Sequence, residues 1–105
     1  MNSFPIEKYS GLQVYYSDNG ISKGLAESIQ KNVKENLQES NQRVSKPSNG
    51  NIYLLDRAGG TSILIECGFL SNTEECEKLT DPIYQKKLAL SLYDGIYEYI
   101  TEVDS

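Results

Sequence analysis

The chain has 105 residues, the size of one small domain, with 10 Lys and Arg against 15 Asp and Glu and a net charge of −5. It contains no histidine, which excludes Ser-His-Asp and Cys-His catalysis within the chain and any histidine-bearing metal site. The acidic balance argues against a nucleic-acid partner, because phosphate binding needs a basic face. No run of roughly eighteen apolar residues exists, so no membrane-spanning helix is expected. Met1-Asn2-Ser3-Phe4-Pro5 lacks the basic and apolar regions of an export signal. Cys67 and Cys76 lie nine positions apart. Without histidine they cannot complete a four-ligand zinc site, and free thiols are expected, with a disulfide as the alternative.

The first ten residues read as irregular, with Pro5 and a break at Ser10-Gly11. Leu12-Gln13-Val14-Tyr15-Tyr16 partly alternates apolar and polar residues, which predicts a strand over 11–17. Ser17-Asp18-Asn19-Gly20 is a turn. A helix over about 22–39 follows, with Ser22 as N-cap and Leu25, Ile29, Val33 and Leu37 on one face. Residues 40–51 are polar and rich in turn formers, which predicts a long loop. Ile52-Tyr53-Leu54-Leu55 reads as a strand, and so does Ser62-Ile63-Leu64-Ile65-Glu66-Cys67. The apolar run of the second predicts burial on both faces. Ser71 with Glu74, or Asn72 with Glu75, makes a capping box for a short helix over about 73–79. Asp81-Pro82 opens the last helix, which runs to about residue 102 with Leu88, Leu92, Ile96 and Ile100 as its apolar stripe. Buried strands mixed with amphipathic helices predict an α/β layered fold of about three strands and three helices.

Glu66 is the leading candidate for chemistry. A carboxylate at the C-terminal end of a strand lies where α/β sheets place ligand sites, and partial burial there suits a carboxylate to general-base work. The plainer alternative is a strand-end residue that reaches water or pairs with Arg57. Arg57 can bind a carboxylate or a phosphate, and Gly68 can let a substrate approach the backbone. Gly59-Gly60 matches no phosphate-binding loop. The eight tyrosines can line a saccharide or peptide groove. Tyr84, Tyr93, Tyr97 and Tyr99, on the last helix, read as packing residues with a wet hydroxyl.

The string Leu64-Ile65-Glu66-Cys67-Gly68-Phe69-Leu70-Ser71-Asn72, followed by Glu75, resembles the signature near the C-terminus of the zinc-dependent N-acetylmuramoyl-L-alanine amidases of the amidase-3 family. The likeness continues through Leu79, Tyr84-Gln85, Ala89 and Tyr93-x-Gly95-Ile96. Upstream, Gly11-x-Gln13-x-Tyr15-Tyr16 resembles the family strand after the last zinc histidine, and Ile52-Tyr53-Leu54 the strand before the signature. It is nearest the spore-cortex, germination-specific branch. The resemblance implies cleavage of the amide between N-acetylmuramic acid and L-alanine in peptidoglycan, by water activated on a zinc ion held by His, Glu and His. Glu66 matches the family's general base. Asn2 matches the asparagine of the last zinc-ligand motif, and with Arg57 and Gly68 it is a candidate for substrate binding.

By the same resemblance, residues 1–105 are the C-terminal portion of the domain, beginning one residue after the final zinc ligand, with the N-terminal strands of the family fold missing. Zinc belongs to the full-length family domain, and none is expected to bind this chain tightly. The expectation is therefore a peptidoglycan amidase fragment, inactive alone, from a family that works outside the cytoplasm at the cell wall or in the forespore intermembrane space. A non-catalytic module that binds cell wall or a protein partner is the alternative. A sheet lacking strands also leaves an open edge, which invites self-association or pairing with another chain.

Overall fold

A computed structural model describes residues 10–18, 21–50, 52, 55, 60–68 and 72–104. The proposed substrate residues Asn2 and Arg57, and Phe69, Leu70 and Ser71 of the signature, lie outside these. The elements in chain order are β1 (Gln13–Tyr16), α1 (Ser22–Asn36), β2 (Lys46–Pro47), β3 (Ile63–Glu66), α2 (Thr73–Leu79) and α3 (Pro82–Asp104).

The strands form one mixed sheet in the order β2-β1-β3. β1 runs parallel to β2, with Tyr15 opposite Lys46, and antiparallel to β3, with Val14 opposite Ile65 and Tyr15 opposite Leu64. Side chains alternate across a strand, so Val14, Tyr16, Ile63 and Ile65 share the face that packs on the core. The core itself joins Leu12 and Val14 to Ala26, Ile29 and Val33 of α1 and Leu88 of α3. The expected stripe of α1 is there: Ile29 and Val33 are fully buried, and Leu25 and Leu37 pack beside them. Among the described residues this is an α/β layer built on a three-stranded sheet and the helices α1, α2 and α3, the fold class that the sequence pattern predicts. Among the described residues, no helix is long and apolar enough to cross a membrane.

Local expectations are corrected in four segments of the chain. Ser22 does not cap α1: the N-cap is Ile21, without a side-chain bond. The Ser22 hydroxyl is buried and accepts from Ser62 N at 2.8 Å while bonding Ser17 Oγ at 2.9 Å. It thus joins the end of β1 to the start of β3. The helix also ends at Asn36 rather than near residue 39. The polar loop over 40–51 contains β2, a two-residue strand that hydrophobic patterning cannot reveal. Of the strand expected over 52–55, Tyr53 and Leu54 lie outside the described residues, Ile52 lies in no strand, and Leu55 is helical and buried. A four-residue apolar run does not distinguish the two.

The fourth correction is to the stripe of α3, in which Leu88 and Leu92 pack on the core as expected but the later two residues do not. Ile96 and Ile100 are exposed, whereas Ser91 and Gly95 are buried against α1. A Cβ at Gly95 would lie 2.7 Å from the Ile29 Cα, so only glycine permits this helix crossing. Ser28 Oγ donates to Gly95 O at 2.7 Å across the same contact. The inner face of α3 therefore combines Leu88 and Leu92 with the small residues Ser91 and Gly95, while Ile96 and Ile100 turn outward.

Candidate active site

The side of the sheet away from the helices carries Tyr15, Leu64 and Glu66. β1 occupies the centre of the sheet, yet β2 pairs only with its last two residues. The backbone groups of Leu12 and Val14 on that side lie beyond the end of β2. Three side-chain amides replace the missing strand. Gln30 Oε1 accepts from Val14 N at 2.9 Å and its Nε2 donates to Leu12 O at 2.8 Å. Gln38 Oε1 accepts from Leu12 N at 3.0 Å, and Asn41 Nδ2 donates to Leu12 O at 3.0 Å. Gln38 is itself held by Tyr84, its Nε2 donating to the phenol at 2.8 Å. Buried backbone groups need partners, and these amides supply them. A glutamine eight residues from another on a helix and its exit gives no warning of this role in the sequence.

The cleft on the open face has a volume of about 510 Å³ and is lined by Tyr15, Lys46, Asn49, Ile52, Leu64 and Glu66, among others. Its far wall is a tight turn. Ser48 N donates to Tyr16 O at 2.9 Å, Ser48 Oγ accepts from Ile52 N at 3.1 Å, and Asn49 and Gly50 both take positive φ, 52° and 82°. Asn and Gly are the residues that adopt that backbone readily. Glu66 is the one carboxylate among the described residues of the cleft. It stands at the C-terminal end of β3, opposite Gln13 in the ladder. It is exposed rather than partly buried. Leu64 is exposed with it, so the expected burial of β3 on both faces is realised only at Ile63 and Ile65. Gln13 is fully buried, with Nε2 donating to Val44 O and Val14 O and with Oε1 unpartnered among the described residues.

Past Glu66 the described residues Gly68 and Asn72 of the signature, with Glu75 beyond it, also serve the architecture. Gly68 has φ of 153°, and a Cβ there would come within 2.5 Å of Glu75 Oε1. That carboxylate is buried and accepts from Gly11 N at 2.9 Å, so it ties α2 to the entrance of β1. Asn72 caps α2, its Oδ1 accepting from Glu75 N at 3.2 Å. Only half of the expected capping box forms, because Glu75 turns to Gly11 instead of back to Asn72. Cys67 and Cys76 are free thiols, and burial pushes the Cys67 thiol above its ordinary pKa. Among the described residues no three His, Cys, Asp or Glu side chains cluster as metal ligands do. With no histidine in the sequence, the donor set here does not fit a zinc ion.

Comparison with known proteins agrees with this layout. Residues 1–98 match the family model for N-acetylmuramoyl-L-alanine amidase. The germination-specific N-acetylmuramoyl-L-alanine amidase of Bacillus subtilis is 41% identical over 97% of this chain and 43% of its own length. The CwlD amidase of Clostridioides difficile, solved in complex with the GerS lipoprotein, superposes with a TM-score of 0.82 at 43% identity, over 96% of this chain and 51% of that one. The amidase AmiC2 of Nostoc punctiforme gives a TM-score of 0.77 at 27% identity, over 90% of this chain and 51% of that one. The chain thus spans about half the length of these relatives. The matched family model, a relative sharing two residues in five, and a common fold around the Glu66 strand together place this chain in the N-acetylmuramoyl-L-alanine amidase family, amidase-3.

Proposed function

We propose that this chain is the glutamate-bearing half of a peptidoglycan amidase, acting on the bond between N-acetylmuramic acid and L-alanine outside the cytoplasm. The supporting observation is the placement of Glu66, exposed at the end of β3 on the wall of an open cleft. A carboxylate so placed can take the proton of an attacking water as general base, an effect of about 10²–10⁴ in rate. The residues of this chain do not fit the family's zinc, so the metal ligands must come from the remainder of an amidase domain, and the chain alone is inactive. When bound in that remainder, zinc supplies Lewis-acid activation of water. Gly68, two positions beyond Glu66, and Arg57 and Asn2 are the proposed substrate contacts, with the Arg57 guanidinium suited to a carboxylate of the stem peptide.

Complementation tests the reading. The purified chain is mixed, with zinc, with the part of the Bacillus subtilis relative that it does not match, and peptide release from peptidoglycan is measured. The expected result is release by the mixture only, lowered about 10²–10⁴-fold by Glu66→Gln. Release by the chain alone, or a Glu66→Gln mixture as active as the parent, overturns it. Saturable binding of the mixture to peptidoglycan without turnover would make this a non-catalytic wall-binding module.

A further inference from the structure

The last helix has two apolar faces. One, with Tyr84, Leu88 and Leu92, packs on the core. The other carries Ile83, Leu90, Tyr93, Tyr97 and Ile100, all between 50% and 66% exposed. Their spacing of seven, three, four and three residues is that of the a and d positions of a heptad. The stripe runs for about 26 Å at ~1.5 Å per residue. Within it the Tyr93 and Tyr97 rings stack with centroids 6.0 Å apart. A helix apolar on both sides is a helix covered on both sides, and a contiguous exposed stripe of this kind marks an interaction surface.

The charges along the stripe identify the occupant. With Ile83, Leu90 and Tyr97 at a, the e positions are Lys87 and Asp94, both exposed and in no ion pair among the described residues. We propose that this face of α3 pairs with the same face of a second copy, antiparallel, about a two-fold axis crossing between Leu90 and Tyr93. In that register Leu90 meets the partner's Tyr93 and Ile83 meets the partner's Ile100. Lys86 lies over the partner's Tyr97, a cation–π arrangement. One flank sets Lys87 against the partner's Asp94 and, by symmetry, Asp94 against the partner's Lys87. The other flank sets Ala89 against the partner's Ile96, small against large. A parallel pair would instead place Lys87 and Asp94 against apolar g positions and Lys86 against itself. The pattern is self-complementary in one orientation only, as an isologous dimer requires.

Sedimentation velocity on the 105-residue chain, from low-micromolar to sub-millimolar concentration, tests this. A monomer–dimer equilibrium is expected, and Leu90→Glu should leave a monomer with unchanged far-ultraviolet circular dichroism. Lys87→Asp alone and Asp94→Lys alone should each weaken association about tenfold or more, because like charges then face each other. The double exchange should return it to near the parent value, which neither lost folding nor a general change of charge can do. A chain that stays monomeric at the highest concentration, a dimer indifferent to Leu90→Glu, or a double exchange that fails to restore pairing each overturns the proposal.

Discussion

Gln30→Leu removes the amide that stands in for the missing part of β2, and its cost can be worked from the contacts. Gln30 is buried on α1 and bonds one backbone group of β1, Val14 N, and one just before it, Leu12 O. Leucine keeps the volume and the helix propensity but neither bond. Val14 N loses its acceptor and becomes a buried unpaired donor, at about 1–3 kcal/mol. Leu12 O keeps its bond from Asn41 Nδ2, so the loss there is an ordinary hydrogen bond, about 0.5–1.5 kcal/mol. The sum is about 2–4 kcal/mol, a large part of the ~5–15 kcal/mol that holds a domain together. Urea unfolding followed by circular dichroism should show a midpoint lower by about 1–2 M at unchanged slope, given a typical slope of ~1–3 kcal/mol per M. Gln30→Glu keeps the acceptor for Val14 N but faces Leu12 O with a second acceptor, and should also destabilise. A Gln30→Leu loss under about 0.5 kcal/mol would show that Gln30 does not hold β1, and the account of the short β2 would fail with it.

Three further outcomes follow from single contacts. Gly95→Val should destabilise by about 1–3 kcal/mol, read by thermal melting, since its Cβ meets the Ile29 backbone and overpacking outweighs the gain in helix propensity. Gly68→Ala should destabilise by a similar amount, and its loss together with Glu75→Ala should be less than the sum of the two single losses, since the clash with Oε1 is then absent. Glu98 is held below its ordinary pKa by the Lys31 hydrogen bond, then by Asn32 and by the Lys31 charge. A carboxyl with a lowered folded pKa adds stability above its unfolded pKa of ~4.3, lost as pH falls through the folded value. Glu98→Gln should therefore flatten the acid limb of the stability–pH curve, whereas an unaltered limb would show that the pair with Lys31 contributes nothing there.

What the sequence reveals of this fold depends on how each element is stabilised. α1 is legible because Leu25, Ile29 and Val33 recur at helical spacing and do pack inward. α3 is legible as a helix, and Leu88 and Leu92 of its stripe do face the core, but Ile96 and Ile100 do not, because pattern reading follows the bulky residues and the close face there is built from Ser91 and Gly95. β2 is invisible, being two residues, Lys46 and Pro47, paired through backbone alone. Leu55 shows how little four apolar residues decide. Glu66 is found through the signature, and its position at a strand end agrees with the structure. The amides of Gln30, Gln38 and Asn41 leave no trace in sequence, because their partners are backbone atoms far along the chain.

The apolar composition of β3 and its exposure disagree, and the disagreement bears on Glu66. Ile63, Leu64 and Ile65 read as a strand covered on both faces, yet only Ile63 and Ile65 reach the core. β3 is also an edge of the sheet among the described residues, although it carries neither proline nor an inward charge to discourage pairing. A strand of covered composition that lacks cover supports the proposal that this chain is half of a domain. The relatives run to about twice the matched length, and on that proposal the remaining length covers Leu64 and the β3 edge. Cover at Leu64 would narrow the cleft beside Glu66 and remove water from one side of it, leaving the carboxylate facing substrate instead of bulk solvent. The stripe on α3 lies across the helix layer from this face, so complementation at the sheet and pairing through α3 engage different surfaces. Leu90→Glu should abolish self-association and leave amidase complementation intact, whereas Glu66→Gln should do the reverse.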